Sequence, residues 1–81
     1  MDENLAWQMI RTAYKCSAEM QTLLQALKES CPADEYRDHA HAIAASIDTL
    51  NVQLVERALT AHPELKQRLQ SDIEHFGRLT D

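Results

Sequence analysis

The chain has 81 residues, one glycine, two prolines and a formal net charge of −5. A single glycine cannot build a phosphate-cradling loop, which needs several close backbone approaches, and no Asn-Gly or Asp-Gly pair is present to turn a β-hairpin. The eight Lys and Arg residues are spread among thirteen acids, so the clustered positive face that neutralises nucleic-acid phosphates is missing. Alanine, leucine, glutamate and glutamine dominate, and all favour helix. The fold class read from this composition is all-α, in one domain spanning residues 1–81.

The chain opens Met1-Asp2-Glu3-Asn4, acidic and polar, unlike the positive start of a secretory signal. Its longest apolar run, Ala42 to Ala45, is far short of a bilayer span. These features lead us to expect a soluble, cytoplasmic protein with neither a membrane nor a nucleic-acid partner. The first helix is expected from about Glu3 to Glu29. Its apolar residues Ala6, Met9, Ile10, Ala13, Cys16, Met20, Leu23, Leu24 and Leu27 recur at steps of three and four, tracing one stripe. Ser30-Cys31-Pro32 breaks it, with Ser30 or Cys31 expected as the next N-cap, Pro32 in the first turn, and Asp34 and Glu35 complementing the helix dipole.

The second helix is expected from Pro32 to Ala61. Its core stripe is Tyr36, Ala40, Ile43, Ile47, Leu50, Leu54 and Ala58 or Ala61, near-heptad in spacing. A second stripe, Val52, Val55 and Leu59, occupies only its C-terminal half. His62-Pro63-Glu64 repeats the break. A third helix, from about Pro63 to Arg78, carries Leu65, Leu69, Ile73 and Phe76 inward and a Glu64–Arg68 pair outward. At 1.5 Å per residue the first two helices are about 40 and 45 Å long and the third about 25 Å.

The short Ser30-Cys31 connection predicts an antiparallel hairpin, with the third helix folding back over Val52, Val55 and Leu59 near Trp7, Met9 and Ile10. The other end then has two helices to enclose Leu23, Leu24, Leu27, Tyr36, Ile43 and Ile47. Each large side chain left exposed forgoes about 1.5–3 kcal/mol of burial. A symmetric dimer forming a four-helix section there is the simplest cover, with Ala40 and Ala44 as a flat patch for close approach. The interface expected on this ground comprises Met20, Leu24, Leu27, Tyr36, Ala40, Ile43, Ala44 and Ile47. Trp7 and Tyr14, with Arg11 between them, form either an exposed aromatic strip of the kind enriched at binding hot spots or a partly buried flank of the core.

Residues able to carry chemistry are few. No His pair has the i,i+4 spacing of a helical zinc site. His39 and His41 face different ways; His62 belongs to a helix break, and His75 to the outer side of the third helix. Glu35 and His39 do have that spacing, but two ligands do not make a site, and no metal or cofactor is expected. A thiol at a helix N-terminus is favoured as thiolate, yet Glu29, Asp34 and Glu35 oppose the charge at Cys31, which is read as a loop cysteine. Cys16 is read as an inert core residue. The two thiols would lie roughly 22 Å apart along one helix, too far for a disulfide. No Glu-x-x-His exists to build a di-iron bundle, and helix-turn-helix DNA binding wants shorter helices and a basic second one. No catalytic residue is expected.

In size, acidity and hairpin layout, the stretch from Leu5 to Leu59 resembles small bacterial helical immunity proteins of contact-dependent secretion systems. It is also similar to the helical co-chaperones of type III secretion needles. The resemblance lies in helix pattern, and no functional residue carries over from it. It implies a non-enzymatic module that binds and masks, inhibits or chaperones a protein partner. A homo-oligomeric structural or regulatory protein is the alternative expectation, and a His-based metal or ligand sensor the third.

Overall fold

The computed structural model describes residues 1–76 and is all-helical among them. Helix α1, Glu3–Ser30, starts where the Asp2 carboxylate accepts the Leu5 N–H at 2.8 Å, satisfying one of the orphan donors of a first turn. It stops at Cys31, whose backbone is extended (φ −108°, ψ 150°) while its N–H still donates to Leu27 O at 2.9 Å. Pro32 imposes that stop, because its ring disfavours the helical region for the preceding residue.

The capping of the next helix differs from the expectation. Pro32 itself occupies the cap position of α2, Ala33–Leu50, with no side-chain cap bond; neither Ser30 nor Cys31 serves, because both still belong to the end of α1. The Asp34 carboxylate accepts the Glu35 N–H at 3.0 Å instead.

The helical backbone continues past α2 through a π-helical segment, Asn51–Glu56, into α3, Arg57–Ala61. These three pieces form one rod. A π turn inserts an extra residue per turn, so it rotates everything after it relative to the stripe of α2. This is why the two stripes of the sequence merge. Val55 and Ala58 are buried, Leu50, Leu54 and Leu59 pack partly against them, and Val52 and Ala61 stay exposed. Helix α4, Leu65–Phe76, follows a tight turn in which Leu65 N–H donates to His62 O at 3.0 Å and Lys66 N–H to Pro63 O at 3.1 Å. The expected extension to Arg78 lies outside the described residues, and the expected inward placing falls on the Phe76 side chain, which is not described.

Helix α1 packs against α2, the π segment and α3. Met1 lies beside His62, with Met1 O 2.7 Å from His62 Nε2. Helix α4 joins the core through Leu65 and Leu69. That core is Ala6, Trp7, Ile10 and Ala13 of α1 with Val55, Ala58, Leu65 and Leu69. Ala6, Ala13 and Ala58 expose nothing, so their small side chains let helix backbones approach closely. The buried face of α4 also takes Asp72, while Ile73, expected inward, is 43 % exposed. The face runs through positions 65, 69 and 72, and position 73 falls on its edge.

Candidate functional site

Burial divides the chain sharply. Between Ser17 and Val55 no residue is buried, and α2 contributes none. Yet this stretch carries much of the chain's aliphatic content. Met20, Leu24 and Leu27 of α1 and Tyr36, Ala40, Ile43 and Ile47 of α2 are all half-buried, and Leu23 is 53 % exposed. Helices α1 and α2 are in contact here, and that contact buries none of these side chains fully.

The reason is length. Helix α4 has 12 residues, about 18 Å at 1.5 Å per residue, whereas α1 has 28, about 42 Å. A third rod of that length covers less than half of the other two.

On the surface of α2, Ala33, Tyr36, Arg37, Ala40, His41 and Ala44 line a shallow, open groove of about 490 Å3. Three alanines, two turns and then one turn apart along α2, line it together with a phenol, a guanidinium and an imidazole. Ala44, expected in the interface, lies exposed in this groove, while Ala40 is half-buried at its inner edge.

The aromatic pair separates. Trp7 is 4 % exposed and sits in the core, with the Arg68 guanidinium 4.1 Å above its ring centroid. Tyr14 remains at the surface. Of the two alternatives for this strip, Trp7 takes the core and only Tyr14 is open to a partner. Arg68, expected beside Glu64, is the lid of the tryptophan.

Two polar clusters lie at the turns between helices. At the α3–α4 turn, His62 Nδ1 lies 3.0 Å from Glu64 Oε1 while Nε2 meets Met1 O. Both neighbours are acceptors, so both bonds form together only when the ring is doubly protonated. The Met1 carbonyl foremost, and the Glu64 carboxylate next, therefore raise the His62 pKa above 6.5. The Glu64 pKa is lowered, first by its own backbone N–H and then by His62. At the α1–α2 turn, the donor atoms of Cys31, Glu35 and His39 lie within 4.8 Å of one another, and His39 Nε2 is 3.5 Å from Glu35 Oε1. Sequence spacing had paired Glu35 with His39; the third member, one turn earlier, is Cys31. Both cysteines are free thiols, and His75 is turned to its own helix, with Nδ1 2.8 Å from Ser71 O.

No protein-family model, curated protein or solved structure matches the chain. Among the described residues no helix is long and apolar enough to cross a membrane.

Proposed function

We propose that the protein is a non-enzymatic, cytoplasmic protein–protein interaction module, an antiparallel α1–α2 hairpin whose open end binds and masks, inhibits or chaperones a protein partner. One observation carries this reading: the absence of any buried residue between Ser17 and Val55 in a stretch that holds Leu23, Leu24, Leu27, Ile43 and Ile47. Completing the burial of even three such side chains is worth a few kcal/mol at about 25 cal/mol per Å2, and a helical surface laid across α1 and α2 supplies it. The reading agrees with the resemblance of the helix pattern to small helical immunity proteins and secretion co-chaperones.

A second reading, the homodimer, is favoured by the groove on α2. Ala33, Ala40 and Ala44 let another helix approach closely, and a two-fold axis there places two open ends against each other.

Sedimentation of the purified protein over a range of concentrations, together with co-purification from its native host, tests both readings. Leu24→Glu and Ile43→Glu should stay folded and lose the association, because a carboxylate is tolerated at a half-exposed position but not in a sealed interface. A wild type that remains monomeric and retains no partner, or variants that associate unchanged, overturns the reading.

A further inference from the structure

We propose that Cys31, Glu35 and His39 form a binding site for a zinc-class divalent transition metal, at the turn between α1 and α2. Three donors of different chemistry, a thiol, a carboxylate and an imidazole, converge with their ligand atoms within 4.8 Å of one another. Around a tetrahedral ion with bonds of about 2.0–2.3 Å, neighbouring ligand atoms stand about 3.3–3.8 Å apart. Glu35 Oε1 and His39 Nε2 already stand at 3.5 Å, and side-chain rotation at the surface closes the remaining gaps.

The backbone fixes the set. Glu35 and His39 are one turn apart on the same face of α2. Cys31 is held a further turn back by its N–H bond to Leu27 O and by the rigid Pro32 that follows.

The charge also closes. A thiolate and a carboxylate neutralise a divalent ion, and the imidazole joins uncharged through Nε2, leaving Nδ1–H to solvent. Binding forms an S–metal bond and releases the thiol proton to the buffer, with no change of oxidation state. Thiolate with imidazole selects zinc-like ions over calcium or magnesium, which want oxygen donors throughout. The fourth position belongs to water, since Glu35 and His39 are exposed.

The test is a titration of reduced, metal-free, untagged protein with Co2+. One equivalent should give the thiolate-to-cobalt charge-transfer band and the intensified visible bands of tetrahedral cobalt, and Zn2+ should bleach both. Cys31→Ser should abolish the charge-transfer band. Glu35→Gln and His39→Ala should each weaken binding by more than about 100-fold, beyond what loss of an outer-shell partner causes. Cys16→Ser and His41→Ala should bind as wild type does, with circular dichroism confirming the helix content of every variant. No band at stoichiometric cobalt, a band that survives Cys31→Ser, or affinity unmoved by Glu35→Gln shows that Glu35 and His39 are only a surface pair and overturns the site.

Discussion

The two ends of this molecule are built from the same kinds of side chain and reach different states. At the end where Met1 meets His62, alanine, isoleucine, leucine, valine and tryptophan from α1, the π segment, α3 and α4 close into a core in which Ile10 and Leu65 are almost wholly shielded. At the Cys31-Pro32 end, Leu24, Leu27, Ile43 and Ile47 have the same chemistry and spacing, but are only half-buried. The difference lies in the number of rods present. Two helices share a single line of contact, and only a third encloses a volume. Hydrophobic patterning therefore says which face turns inward, while the supply of neighbours decides whether anything is inside.

The sharpest way to break this contrast is to cut the same side chain at each end. Ile10→Ala removes a fully enclosed isoleucine and should destabilise by about 2–5 kcal/mol. Ile43→Ala, measured in dilute protein, should cost roughly 1 kcal/mol or less, since its site already opens to water and leaves no sealed cavity. In a domain of this size each kcal/mol shifts the melting temperature by about 4–8 °C, so thermal denaturation separates them easily. Equal losses at the two positions would mean that both ends are closed within one chain.

Much of this contrast is legible in the sequence, and the rest is hidden for definite reasons. The all-helical class follows from the stripes and from the breaks at Pro32 and Pro63, since periodicity and proline are local signals. The shortage of cover follows from the unequal lengths of the apolar segments. The π turn was announced only indirectly, by two overlapping stripes around Leu50 to Val55, which a regular 3.6-residue helix cannot bury together. The partner of Trp7 was out of reach: Arg68 is distant in sequence, and i,i+4 spacing offered it Glu64. The bond from His62 to Met1 spans 61 positions, and no local pattern encodes such a contact. Cys31 was separable from Glu35 and His39 only because it lies in a helix break; counted in fours along the chain, the three fall in line.

A smaller effect isolates the lid on the closed end. Trp7 is the single tryptophan, so its emission reports on that end alone. Arg68→Met keeps aliphatic cover over the ring and removes the cation. It should destabilise by at least about 0.5–1 kcal/mol, the lower end of what a cation–π stack is worth, and shift Trp7 fluorescence. Leu24→Glu, at the open end, should leave that emission where it is. A fluorescence change in Leu24→Glu would show that the two ends are packed as one unit.

The smallest expected effect concerns how the closed end is tied shut. His62 reaches Met1 O through one nitrogen and Glu64 through the other, which only the imidazolium can do. Because its folded pKa lies above 6.5, the tie contributes fully below that value and fades as pH rises through the folded pKa. Glu64 sets the other limit: its pKa is lowered from 4.5, so its share is present above 4.5 and lost as pH falls through the folded value. The tie is thus complete between about 4.5 and 6.5, and stability should decline slightly from there toward neutral and alkaline pH. An NMR titration of the His62 ring gives its folded pKa directly, and His62→Gln should flatten that part of the stability profile, since one amide donor replaces two ring donors and does not titrate. If the His62 ring titrates at or below 6.5, the chain start is not held through the imidazolium, and the closed end rests on its apolar packing alone.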